Sequence, residues 1–104
     1  MSAKALYIRH KALPGKRDQV KHIWEKYARA YIESAKGQLA YVYGFDENDP
    51  DTIVAYQLFT GEAATNDFVN QSWYADYQRE TAALLAEPSK FRTIVPQWTK
   101  GWSS

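Results

Sequence analysis

The sequence predicts an α+β fold, with four antiparallel strands and two helices packed on one face of the sheet. Three observations carry that prediction. Apolar residues alternate with period two at residues 4–12, 38–45, 52–60 and 91–100, and recur with helical period at 16–35 and 72–85. The turn-rich stretch DENDPD at 46–51 separates the two middle strand patterns, which makes them a hairpin. The other two crossovers are helical. The resulting order, βαββαβ, is the split βαβ or ferredoxin-like arrangement. A chain of 104 residues has room for one domain with one core, taken here as residues 1–104.

In the first strand, KALYIRHKA, Leu6, Ile8 and His10 share one face, and Tyr7, Arg9 and Lys11 the other. Leu13-Pro14-Gly15 breaks the ladder, and Gly15 is a candidate cap for the helix that follows. Along 16–35, Val20, Ile23, Trp24, Tyr27, Ala28, Tyr31 and Ala35 form one apolar stripe, with His22 on the polar side. Trp24 is central to that stripe. Gly37 stands where a C-terminal glycine would end the helix.

In QLAYVYGF, Leu39, Tyr41, Tyr43 and Phe45 alternate with Ala40, Val42 and Gly44. The carboxylates of 46–51 crowd a proline-containing loop and read as a solvated turn. In TIVAYQLF, Ile53, Ala55, Gln57 and Phe59 oppose Val54, Tyr56 and Leu58, so both faces are largely apolar. Two helices cover only one face of such a sheet. A second copy of the chain is the economical cover for the other, which predicts a homodimer.

Gly61 opens a linker in which residues 62–70 form two helical turns, with Ala64, Phe68 and Val69 directed inward. Ser72 is placed as N-cap of the second long helix, whose stripe is Trp73, Tyr74, Tyr77, Thr81, Leu84 and Leu85, and which Pro88 ends. Pro96 marks the last strand as an edge or a bend. Trp98 and Trp102 near the end of the chain call for cover from a partner subunit.

Composition narrows the function classes. A net charge of +1 from 13 basic and 12 acidic residues argues against nucleic acid and membrane surfaces as partners. RNA-recognition domains share this element order but carry a basic, glycine-containing aromatic motif on the third strand, and TIVAYQLF has neither. No apolar run approaches the ~18 to 20 residues of a spanning helix, and MSAKALYIRH lacks a signal-peptide core, so a cytoplasmic location is expected. With no cysteine and only His10 and His22, thiolate chemistry is excluded and no metal site is expected. Four Trp, eight Tyr and four Phe exceed what so small a core needs. They fit a well-filled core with a dimer interface, or a cavity lined for a flat organic ligand.

Several features together resemble the antibiotic biosynthesis monooxygenase (ABM) domain of the dimeric α+β barrel superfamily. They are Pro14-Gly15-Lys16 opening the first helix, Gly37 before the second strand, DENDPD in the hairpin, the Gly61-Glu62-Ala63 linker, and Leu84-Leu85-Ala86-Glu87-Pro88. The resemblance covers nearly the whole chain. It implies a homodimer with its sheets face to face, and cofactor-independent oxygenation of a small aromatic or quinol-like compound. In such chemistry the substrate itself reduces O₂, and the protein supplies position, dryness and hydrogen bonds.

Residue by residue the likeness is partial. The antibiotic-tailoring members' asparagine and tryptophan on the third strand fall at Ala55 and Phe59, and their second-helix arginine at Arg79, which the helical period puts opposite the buried stripe. The asparagine, tryptophan and histidine of the haem-degrading branch fall at Ile8, Phe68 and Gln78, so haem degradation is not implied. On the face expected to bear a pocket, His10, Gln57 and Tyr77 are the candidate catalytic residues. His10 is the group there able to act as a base near neutral pH, and Gln57 is an amide that needs a partner, either Tyr77 or a ligand oxygen. Ile8, Trp24, Phe59, Asn66, Phe68 and Trp73 are the candidate substrate-binding residues. Two other readings stay open: a non-catalytic dimeric small-ligand or stress-response binder, and an isomerase or lactone-handling enzyme with His10 as proton carrier.

Overall fold

The protein is described by a computed structural model covering residues 3–101, so Trp102 lies outside the described residues. The elements are β1 (Lys4–Lys11), α1 (Arg17–Tyr27), α2 (Arg29–Ser34), β2 (Gln38–Phe45), β3 (Thr52–Phe59), α3 (Glu62–Val69), α4 (Tyr74–Ala82) and β4 (Lys90–Ile94). The sheet runs β2-β3-β1-β4, antiparallel at each junction. The ferredoxin-like reading therefore holds.

The first long helix is interrupted at Ala28, which divides α1 from α2. Its backbone still bonds in helical fashion on both sides, to Trp24 and from Ile32, so helical hydrogen bonding runs through the interruption. Ala28 is fully buried. The core proper is Ala12, Val20 and Ile53, with Tyr43, Leu84 and Leu85 packed against it. Trp24 stacks on Tyr43 at 4.2 Å between centroids, which fixes α1 to β2. The Tyr27 hydroxyl donates to the Glu80 carboxylate, and Lys26 lies 3.5 Å from the same group, tying α1 to α4.

The caps differ from expectation. Lys16, not Gly15, is the N-cap of α1, and Gly15 instead supplies a left-handed turn residue at φ +76°. Gly37 is not left-handed; α2 already ends at Ala35. What excludes a side chain at Gly37 is α3: a Cβ there would lie 2.7 Å from the Cβ of Ala64. Ser72 caps nothing, because α4 begins one residue later, behind Trp73 as its N-cap, where the Tyr74 N–H bonds to the Gln71 carbonyl. The same helix stops before Pro88. Leu84 and Ala86 leave it to bond with the backbone of Leu13 and Lys11. β4 is shorter than predicted and ends before Pro96.

The 46–51 turn is more than a solvated loop. Arg17 reaches the carbonyls of Asp46, Asp49 and Thr52 at 2.8 to 3.3 Å and lies 3.9 Å over the Phe45 ring. Lys11 donates to Asp49 at 2.6 Å, and that bond, with others from the Asp51 backbone and the Thr52 hydroxyl, holds the Asp49 carboxyl well below the usual carboxylate range.

Candidate functional site

The helix-covered face of the sheet does not close completely. Between it and α3–α4 lies a cavity of about 820 Å³, a size suited to a small organic ligand. Its floor is built by strand alternation. Register places Tyr41, Gln57 and Leu6 in one row, Tyr43, Ala55, Ile8 and Phe91 in the next, and His10 beside Ile53 beyond them. Its roof is α4, contributing Tyr74, Tyr77, Gln78 and Thr81. Ala55, in the middle row, is 1% exposed and packed beneath the helices, not open to the cavity.

Of the residues expected at the site, Ile8, His10, Gln57, Phe68 and Tyr77 line this cavity together. Trp24, Phe59, Asn66 and Trp73 do not. Trp24 is committed to its stack on Tyr43, and Phe59 is buried in the core at 4% exposure. Asn66 is exposed on α3, outside the cavity. Trp73 lies behind the lining, 5.5 Å from Phe68, 5.8 Å from Tyr77 and 6.4 Å from Tyr27, and braces them from outside.

Several lining residues escape sequence reasoning. Gln38 reaches the cavity because Leu39 is the extra residue of a β-bulge, which puts Gln38 on the face of Tyr41 rather than opposite it. Strict alternation cannot reveal that. Thr81 was on the predicted helical stripe, and its buried hydroxyl on an apolar face was the available signal. Ser89 sits in a loop, and only tertiary structure brings it to His10.

His10 is 8% exposed and its Nδ1 shares a hydrogen bond with the Ser89 hydroxyl. Burial lowers its pKa to about 4, so the imidazole is neutral at physiological pH. Burial likewise pushes Tyr41 up to about 12, partly offset by the neighbouring Trp24, and raises Tyr77 well above the ordinary phenol value, helped by the nearby Tyr41, Tyr43 and Tyr74. These phenols are therefore protonated donors. The expected Gln57–Tyr77 bond does not form. Gln57, 6% exposed, makes no side-chain hydrogen bond to another described residue. Thr81 Oγ1 and Gln38 Oε1 are also buried without partners. Both atoms are covered by protein, so each is an unpaired polar group within the packing and not one presented to a ligand. Arg79 lies at the rim, its side chain 70% exposed and its guanidinium 2.8 Å from Asp76, so it is solvated as the helical period predicted. Among the described residues no three His, Asp or Glu side chains gather as metal ligands do.

The opposite face of the sheet is bare. Val42 is 65% exposed and Tyr56 48%, and with Leu58, Ile94 and Val95 they form a shallow apolar groove beneath the segment bearing Trp98. No described helix is long and apolar enough to cross a membrane.

Fold and cavity together define an α+β protein with one ligand-sized, largely uncharged chamber under its helices. Comparison with known structures then supplies the kind. The chain superposes on a proposed antibiotic biosynthesis monooxygenase from Chloroflexus aurantiacus with a TM-score of 0.80 and 25% identity, covering 96% of this chain and 98% of that one. It matches a proposed antibiotic biosynthesis monooxygenase from Nitrosomonas europaea with a TM-score of 0.85 and 14% identity, over 96% and 95%. It also matches an N63A mutant of SnoaB, a cofactor-independent oxygenase from Streptomyces nogalater, with a TM-score of 0.81 and 14% identity, over 98% and 100%. The resemblance to the ABM domain read from the sequence is thus shown in three dimensions. No family model matches the sequence, and no curated protein does.

Proposed function

We propose that this protein is a cofactor-independent monooxygenase of a small aromatic or quinol-like compound, working as a cytoplasmic homodimer. The observation that carries this reading is the cavity itself. Its lining is largely apolar, and its polar groups are neutral donors and a neutral imidazole, suited to an aromatic alcohol or ketone. The fold shared with an oxygenase supports the same class of reaction.

The chemistry follows from that lining. A bound phenol or activated ring carbon gives its proton to the nitrogen of His10 that Ser89 does not engage. The resulting anion passes one electron to O₂, and the radical pair joins as a carbon–oxygen bond. The peroxide then breaks its O–O bond, the carbon loses its remaining hydrogen to become a carbonyl, and water leaves. Oxidation of CH₂ to C=O releases four electrons, the number O₂ takes in giving one carbonyl oxygen and one water. With a pKa of about 4, His10 is a weak base. Stabilising the anion therefore falls to Tyr77 and Gln57.

The bare sheet face supports the homodimer, because a second copy brings an identical apolar surface to cover Val42, Tyr56 and Leu58. The binder reading draws on a different observation. Ala55 and Phe59, which stand where tailoring members carry functional residues, are both wholly committed to packing.

Oxygen uptake by metal-free protein with naphthalene diols and hydroquinones, corrected for autoxidation, separates the two. Uptake proportional to protein, lost in Tyr77→Phe and Gln57→Ala, is the oxygenase outcome. Thermal stabilisation by the same compounds without uptake identifies a binder.

A further inference from the structure

A nucleophile and a base lie in contact inside the cavity. Ser89 and His10 both line it, and the Ser89 hydroxyl shares a hydrogen bond with His10 Nδ1. Strand register explains the meeting. Arg9 pairs with Lys90 and Ile8 with Phe91 in the antiparallel β1–β4 ladder. One step further sets Ser89 across from His10, both on the face of Ile8 and Phe91. The hydroxyl is also held from both sides along the chain. The Ala86 N–H bonds to the Lys11 carbonyl, Leu85 bridges to Ala12, and Lys90 pairs with Arg9. Only Glu87, Pro88 and Ser89 therefore lie between two attachments to β1. Glu87 is 3.7 Å from Arg9, and the ring of Pro88 fixes its own φ. So short and stiff a connection keeps the hydroxyl against the imidazole before any substrate arrives.

We infer that Ser89 and His10 form a nucleophile–base pair for acyl transfer, and that the cavity hydrolyses carboxylic esters with an apolar acyl group. Such an activity shares the chamber and His10 with the proposed oxygenation, and requires neither O₂ nor a phenol. With its proton on Nε2, the neutral imidazole accepts from Ser89 at Nδ1. Ser89 Oγ attacks the ester carbonyl carbon, its proton passes to Nδ1, and the carbonyl π pair moves to oxygen. The intermediate expels the alcohol, which takes that proton away. Water then adds to the acyl-serine through the same imidazole, the acid leaves, and Ser89 recovers its proton. One ester and one water give one acid and one alcohol, with no oxidant or reductant. Ile8, Leu85 and Phe91 line the cavity at this end and surround the acyl group with apolar side chains. Among the described lining residues only Arg79 is charged, and it stays at the rim with Asp76. A carboxylate on the acyl chain would lose its hydration with no cation to replace it.

The test is release of 4-nitrophenolate from 4-nitrophenyl butyrate by metal-free protein under nitrogen, where oxygenation cannot occur. Turnover should scale with protein. Diethyl 4-nitrophenyl phosphate, which leaves a stable diethylphosphoryl group on an attacking serine, should abolish it, and mass mapping should place that group on Ser89. Ser89→Ala should remove both turnover and labelling, and His10→Gln should slow turnover about 100-fold or more. 4-Nitrophenyl hydrogen succinate, whose acyl chain ends in a carboxylate, should not be turned over. Circular dichroism identifies any variant that misfolds, and the labelled position on the unmodified protein decides the matter without the variants. No turnover of the butyrate, a label on lysine or tyrosine alone, a folded Ser89→Ala or His10→Gln variant at the native rate, or equal rates for the two esters would overturn the inference. Turnover with Ser89 labelled, in a protein that takes up no O₂ with naphthalene diols, upholds it and removes only the oxygenase reading. O₂ uptake with Ser89 unlabelled does the reverse.

Discussion

The two faces of this sheet are made by the same strands and share almost nothing else. On one, Ile8, Ile53, Ala55 and Phe59 are sealed under helices at 7% exposure or less. On the other, residues one step away in sequence, Val42 and Tyr56 among them, lie open to solvent though no less apolar. Strand alternation produces both faces. Whether an apolar face is buried depends on what the rest of the chain brings to it, and this chain brings helices to one side only. The covered side then keeps a polar-studded cavity, and the bare side keeps an apolar surface fit for a second copy.

The largest expected effect breaks the bare face. Val42→Glu combined with Tyr56→Glu sets like charges on both sides of the proposed interface, and sedimentation should change from a dimer to a monomer with its fold retained. A native protein that sediments as a monomer at micromolar concentration would sink the dimer instead.

A cavity cut into each face sharpens the contrast. Ile53→Ala on the covered face should cost about 2–5 kcal/mol and lower the melting temperature by about 10 °C or more. Val42→Ala, measured in the monomeric background, should stay within about 0.5 kcal/mol. Equal losses at the two sites would mean that the faces are not distinct.

His10 makes the covered face sensitive to acid. Its pKa falls from 6.5 to about 4 on folding, so between those values the unfolded chain binds the proton and the native state does not. Stability is therefore fully present above pH 6.5 and lost as pH falls toward 4. Relative to a non-titrating His10→Gln variant, the loss should be on the order of 3 kcal/mol in denaturant titrations across that window. Parallel pH profiles would show that His10 is not buried as described.

The smallest effect concerns the packing of the chain at Gly37 against α3. Gly37→Ala should cost about 1–3 kcal/mol by pressing a methyl group against Ala64. Adding Ala64→Gly should recover part of it, a rescue that a left-handed requirement at Gly37 would not allow.

Much of this was legible before any coordinates. The period-two runs gave the strands and their faces, so Ile8, His10 and Gln57 could be assigned to one surface. The helical stripe put Tyr77 and Thr81 over it. The site reading failed where geometry is set at a distance. Trp24 and Trp73 are aromatic and inward, yet one stacks on Tyr43 and the other backs Phe68 and Tyr77. No spacing rule separates a ring that lines a cavity from one that stands behind it.

By itself, then, the sequence determined the element order, the sheet's two apolar faces and the absence of thiol chemistry, because these depend on residues a few positions apart. Only tertiary structure decided the rest. A bulge at Leu39 turned Gln38 inward, α4 unravelled early to pair with β1, and a loop 79 residues away brought Ser89 to His10. Each of these results from satisfying backbone and side-chain partners far apart in the chain, and local pattern holds no record of them.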